Sequence, residues 1–143
     1  MTSHLERAYV ALGSNLGNRE AHLALARLRL STLRRTHLVA ASSIEETAPI
    51  GPAGQGTYLN QMVLLVTALE PLELLAHCHA IEVEAGRERR ERWAPRTLDL
   101  DIVRFGDRAI ATPELTVPHP ELPNRDFWQR EIGERDALAP AHV

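Results

Sequence analysis

R-E-R-R-E-R-W-A-P-R-T-L-D-L-D-I-V-R-F, residues 87 to 105, decides how the chain is read. Its second half alternates. In an extended chain Leu98, Leu100 and Ile102 fall on one side and Asp99 and Asp101 on the other, because strand residues two apart share a face. Such a strand covers a core with one face and presents two carboxylates on the other. Its first half is basic, with five arginines (87, 89, 90, 92 and 96) against Glu88 and Glu91. Paired carboxylates on a rigid strand are hard oxygen donors of the kind Mg²⁺ accepts. Guanidinium groups just upstream are anion clamps. Metal and clamp together suit a polyphosphate. A solvated helix end has the same charged look, so the decision rests with the remaining sequence.

Before this run, Arg7 to Leu12 reads as a first strand, and Asn18 can cap a helix over Arg19 to Leu33. There Leu23, Ala26, Leu30 and Leu33 repeat at helical spacing, and Leu25 and Leu28 widen the stripe. Leu38 to Thr47 reads as a strand, residues 49 to 56 as a Gly/Pro loop, and Tyr58 to Leu69 as a central strand. Pro71 opens a second helix through Leu74, Cys78, Ile81 and Ala85, with Gly86 as its stop. After the strand Leu98 to Phe105, Gly106-Asp107 can turn a hairpin into Arg108 to Ala111. A proline-rich segment, 112 to 125, leads to a short last helix over Asp126 to Arg135. The order β-α-β-β-α-β predicts an α+β fold, a ferredoxin-like sandwich. Helices pack on an antiparallel sheet, with an extra hairpin and a short C-terminal helix.

At 143 residues the chain is read as one domain. A net charge of −3 argues against wholesale binding to nucleic acid or an anionic membrane. All 16 basic residues are arginine. The absence of lysine excludes a P-loop, the lysine of a protein kinase and Schiff-base chemistry. The single cysteine, Cys78, excludes an internal disulfide and a cysteine zinc cluster, and its spacing makes it a core residue. No N-terminal signal pattern or long apolar run is present, so a cytoplasmic protein is expected.

Three other segments can carry chemistry. Tyr58 and Asn60, two apart at a strand head, offer a ring and a carboxamide suited to a flat heterocycle. A tyrosine at a sheet edge beside a turn asparagine has the same spacing. His119 is flanked by Pro118 and Pro120, which fix its backbone. A solvated loop histidine would also fit there. Arg125 adjoins Phe127 where a helix would start. His77 and His79, two apart on a helix, do not share a face and make a poor metal pair.

Together these stretches resemble the 6-hydroxymethyl-7,8-dihydropterin pyrophosphokinase family of folate biosynthesis. The resemblance rests on A-L-G-S-N-L-G-N (11–18), A-P-I-G-P (48–52), Y-L-N (58–60), E-R-W-A-P-R-T-L-D-L-D-I (91–102), L-T-V-P-H-P (115–120) and N-R-D-F (124–127). It implies transfer of the β,γ-pyrophosphoryl group of ATP to the pterin hydroxymethyl group, with release of AMP. Asp99 and Asp101 match the residues that hold a pair of Mg²⁺ ions, and with Arg89 and Arg96 they form the catalytic set. Glu82, Arg89, Arg92, Trp93, Arg96, Ile102, Thr116, His119 and Arg125 match the nucleotide side. Thr47, Ala48, Ile50, Tyr58, Asn60 and Phe127, with Trp93 and Asp99, match the pterin side. The partners implied are small molecules alone, and the protein is expected to be a monomer.

There are departures. Ala48 stands where many relatives have proline, Glu114 where some have arginine, and Pro120 where some have an aromatic residue. After Phe127, W-Q-R-E-I-G-E-R-D-A differs from the family's apolar ending, and the chain is expected to stop early. Two other classes stay open on residues alone. A D-x-D nucleotide-sugar transferase would use the same aspartates. An RNA-binding module would use Arg87 to Arg96, although six aromatic residues are few for it.

Overall fold

The computed structural model describes residues 4–48, 56–86 and 97–138. Four strands form the main path of an antiparallel sheet: β1 (Glu6–Ser14), β2 (Thr36–Ala41), β4 (Tyr58–Thr67) and β5 (Asp99–Phe105), in the order β2-β4-β1-β5. A short β3 (Glu45–Thr47) also pairs with β4, ahead of β2's partners in register. The helices are α1 (Arg19–Ser31), α2 (Pro71–Glu84) and α3 (Asp126–Leu138). Leu23, Ala26 and Leu30 of α1 and Leu74, Cys78 and Ile81 of α2 bury against Val10, Leu12, Leu65, Leu100 and Ile102. The other face of the sheet carries Tyr9, Ala11, Met62, Leu64 and Val103, packed with Leu122, Trp128 and Ile132. Among the described residues no helix is long and apolar enough to cross a membrane.

Local chemistry sets the helix ends. Asn18 Oδ1 accepts the Ala21 N–H at 3.1 Å, satisfying one orphan donor of α1. Asn18→Ala is expected to cost about 1 kcal/mol, read as a lower denaturant midpoint with an unchanged slope. Pro71 opens α2, and Glu73 Oε1 accepts the Glu70 N–H at 2.9 Å in a capping box. Gly86 follows α2 at φ +87°, where a Cβ would be strained. Leu28 does not widen the α1 stripe. It is 53% exposed, because five residues from Leu23 it lies about 140° round the helix.

Three further expectations are corrected. The strand over 38–47 is two strands. Ser42 keeps its N–H on Met62 O at 2.8 Å, but its hydroxyl, not a backbone carbonyl, accepts the Met62 N–H at 2.9 Å. A side chain has replaced the ladder, and residues 43 and 44 leave the sheet. The turn at Gly106-Asp107 forms, but β6 (Ile110–Ala111) pairs with β7 (Thr116–Val117) in a separate two-stranded sheet, not with β5. The last helix reaches Leu138 and covers the sheet face opposite α1 and α2. Its anchors are tertiary: Arg130 to Glu45 at 3.0 Å, and Glu134 accepting the Ser43 N–H at 3.2 Å.

Candidate active site

The sheet, α2 and residues 112–128 enclose an open cleft of about 570 Å³. Its floor follows from register. Asn60, Gly13 and Asp99 stand opposite one another across β4, β1 and β5, and Met62, Ala11 and Asp101 form the next row. Opposed residues on antiparallel strands show the same face. Asp99 and Asp101 therefore share a face with Asn60, while Leu98, Leu100 and Ile102 are buried on the other. The alternation read from the sequence is present. Gly13 supplies the space between: a Cβ there would stand 3.5 Å from both Asn60 Oδ1 and Tyr58 Cδ1.

The carboxamide end of this row is held rigidly. Asn60 is only 7% exposed, and its Nδ2 donates to Thr47 Oγ1 at 2.5 Å. That bond leaves Oδ1, on the Gly13 side, as an acceptor. Thr47 lies across from Tyr58 in the β3–β4 register. Ala48 and Tyr58 line the cleft at this end, and Phe127 lines it from the first turn of α3.

At the carboxylate end the outer edge of β5 is tied to its surroundings. Leu100, between the two aspartates, donates its N–H to the buried Glu82 Oε2 at 2.8 Å, so α2 braces the strand. On the same strand Val103 O accepts the His119 N–H at 2.8 Å. These contacts use backbone groups that an edge strand otherwise exposes. Below lies Cys78, whose thiol is pushed far up by burial, with the charges of Glu82 and Asp101 adding to the effect. It is an inert core residue.

His119 Nδ1 accepts the Glu121 N–H at 3.0 Å. The neutral ring therefore carries its proton on Nε2, which stands 3.7 Å from Asp101 Oδ1. The ring packs edge-on to Trp128 with centroids 5.0 Å apart. The Arg125 guanidinium lies 4.4 Å from the Trp128 centroid. Thr116 lines the cleft with Arg125, and Ile102 lines it from the other face of β5.

The fit to Mg²⁺ follows from the donor set. Asp101 is 38% exposed at its side chain, and both carboxylates line the cleft. Among the described residues no group of three or more acidic, histidine or cysteine side chains could hold a metal by itself. Mg²⁺ bound through one or two carboxylates, waters and substrate phosphates needs no such cage.

Of the residues singled out from the sequence, Thr47, Ala48, Tyr58, Asn60, Glu82, Asp99, Asp101, Ile102, Thr116, His119, Arg125 and Phe127 all meet at this cleft. Ile50, Arg89, Arg92, Trp93 and Arg96, and with them the arginine run 87–96, lie outside the described residues. Glu114 and Pro120 also line the cleft. The sequence reading missed Gly13, Leu75, His79 and Trp128, which line it too. One signal for His79 was available: Leu75, His79 and Glu82 are four and three apart, one helix face.

Comparisons with known proteins identify the family. A family model described as 7,8-dihydro-6-hydroxymethylpterin-pyrophosphokinase matches residues 9–135. A 2-amino-4-hydroxy-6-hydroxymethyldihydropteridine pyrophosphokinase of Haemophilus influenzae is 45% identical over 84% of this chain and 75% of its own length. The protein of the same name from Pseudomonas aeruginosa is 45% identical over 86% of this chain and 76% of its own. That from Bacillus subtilis is 46% identical over 89% of this chain and 76% of its own. With the family model spanning most of the chain and relatives at this identity, the chain belongs to the 7,8-dihydro-6-hydroxymethylpterin-pyrophosphokinase family.

Proposed function

We propose that this cleft transfers the pyrophosphoryl group of ATP to 6-hydroxymethyl-7,8-dihydropterin, giving the pterin diphosphate and AMP, as a step of folate biosynthesis. One observation carries the reading: Asn60 and Asp99 stand in one row across Gly13, so a heterocycle site and a metal-type site share a floor. The hydroxyl oxygen forms a bond to the β-phosphorus, the bond from that phosphorus to the α,β-bridging oxygen breaks, and AMP leaves. Such a transfer needs positioning and charge neutralisation more than covalent catalysis. Mg²⁺, taken as two ions held by Asp99 and Asp101, would supply charge neutralisation on the triphosphate.

The chain's own residues do the rest in this reading. Asn60 Oδ1 accepts from the pterin's N–H edge, and Tyr58 and Phe127 stack on its ring. Thr47, Ala48 and Ile50 border the pterin. Glu82 keeps the strand between the aspartates fixed through Leu100. Ile102, Thr116, His119 and Arg125 take the nucleotide, joined by Arg89, Arg92, Trp93 and Arg96. Arg89 and Arg96 balance charge as it develops on AMP and the transferred group. No general base is assigned; in this reading Asp101 is the candidate acceptor for the hydroxyl proton.

The same proposal reads the fold as ferredoxin-like, counting β2 and β3 as one interrupted strand in a β-α-β-β-α-β order. It reads the protein as a single-domain cytoplasmic monomer. The test is product analysis with ATP and Mg²⁺, with and without the hydroxymethyl pterin. AMP formed only with the pterin is expected; ADP, or AMP without the pterin, overturns the reading.

A further inference from the structure

Trp128 belongs to none of the motifs that carry the resemblance, and it begins the stretch where the resemblance ends. Its indole is 2% exposed, yet it reaches the cleft. Three side chains meet it. His119 stands edge-on at 5.0 Å and 87°. The Arg125 guanidinium lies 4.4 Å from the ring centroid. Phe127 stands edge-on at 6.2 Å. Arg125 has a further feature: its Nε is buried with no hydrogen-bond partner. Among the described residues nothing else grips that guanidinium, so the indole face is what seats it. His119 is fixed at its other edge by the Glu121 N–H. Its Nε2 stands 3.7 Å from Asp101 Oδ1, and the indole packs against the ring.

We propose that Trp128 is a positioning residue. It seats Arg125 by cation–π contact and His119 by edge contact, and so sets the two side chains that close the nucleotide side of the cleft. It touches no reacting atom. The arrangement suits anion binding. A guanidinium held by an aromatic face keeps its N–H donors free for phosphate, whereas one held by a carboxylate would have spent them. This inference rests on the reading of Arg125 and His119 as nucleotide-side residues.

The test is calorimetric binding of α,β-methylene-ATP with Mg²⁺, and separately of the hydroxymethyl pterin, to folded variants. Trp128→Leu, which keeps an apolar side chain but no ring, is expected to weaken nucleotide binding about tenfold. Its pterin affinity should change less than about threefold, since the Phe127 contact is the longest of the three. Trp128→Phe, with a smaller π face, should fall between wild type and Trp128→Leu. In steady state the change should appear mainly as a raised KM for ATP, with kcat moved less. A double-mutant cycle with Arg125→Ala should be non-additive, the second substitution adding little to the first.

Wild-type nucleotide affinity in folded Trp128→Leu, or equal losses of nucleotide and pterin affinity, overturns the proposal. Should Trp128→Leu fail to fold, the cycle of Trp128→Phe with Arg125→Ala decides: coupling supports the proposal and additivity overturns it. If Arg125→Ala and His119→Ala both bind nucleotide as wild type, the assignment of those two residues falls and the proposal with it. If they weaken binding and Trp128→Leu does not, only the positioning role falls.

Discussion

Asp101→Ala is expected to lower pterin pyrophosphorylation by at least about a thousandfold, roughly 4 kcal/mol of transition-state stabilisation, in a protein that remains folded. The side chain is 38% exposed and faces the cleft. Neighbours on the opposite face, Leu100 and Ile102, hold the strand in the core, and Glu82 holds its outer edge through the Leu100 N–H. Removing the carboxylate therefore takes half of the paired oxygen donors and none of the packing. Asp101→Asn keeps the shape and removes the charge, so it should lose nearly as much activity. Unfolding midpoints of both variants should stay close to that of wild type, because Asp99 loses a like-charged neighbour on its own face while His119 loses the carboxylate 3.7 Å from its Nε2. AMP release measured across Mg²⁺ concentrations checks this. Turnover within tenfold of wild type in either variant would show that Asp101 is not a metal ligand.

That prediction could be framed from the sequence because a strand repeats every two residues, and R-T-L-D-L-D-I shows the repeat undisturbed. Helix starts were legible for a similar reason: Asn18 and Pro71 act on their nearest neighbours. What stayed hidden was set by distant partners. The break after Ala41 depends on the Ser42 hydroxyl taking the Met62 N–H. A bulge shifts the register between Tyr9 and Val10, which lets Val103 and Phe105 serve opposite core clusters. Spacing along 98–105 does not announce it. The site divides in the same way. Each motif was visible as a stretch, but the row Asn60–Gly13–Asp99 exists only through two strand registers at once. Gly13 lay just past the first strand as read, Arg7 to Leu12, and Trp128 in a divergent ending.

Glu131→Gln is expected to stabilise the protein, and by more as pH rises. The side chain is 0% exposed, and neither carboxyl oxygen has a hydrogen-bond partner. Burial pushes its pKa from the ordinary 4.5 up to about 8. Burial is the largest cause; the charges of Glu45 and Glu134 contribute to the same rise, and Arg130, paired with Glu45 at 3.0 Å, opposes it in part. A raised pKa means that the folded state holds a proton that the unfolded chain has released. Stability from this group is complete below about pH 4.5 and is lost as pH rises through about 8. Between pH 5 and 8 the loss is on the order of 3–4 kcal/mol, or about 10–13 °C in midpoint for a chain of this size. Glu46, Glu73 and Glu84 do not blur this window. Their carboxyls are held below the ordinary value by hydrogen bonds from Thr57, the Glu70 backbone and Arg29 respectively, so their contribution changes at more acid pH. Glutamine is neutral throughout and should flatten the profile. Methionine, of similar length and with no polar atom left unpartnered, should flatten it and add stability at every pH. Thermal unfolding at pH 5 and pH 8 reads the outcome. Wild type and Glu131→Gln curves that shift in parallel would mean the buried carboxyl does not titrate as this environment requires. The effect should reach the cleft, because the helix that carries Glu131 has Phe127 and Trp128 in its first turn. Ionising Glu131 is therefore expected to destabilise the helix that carries both rings.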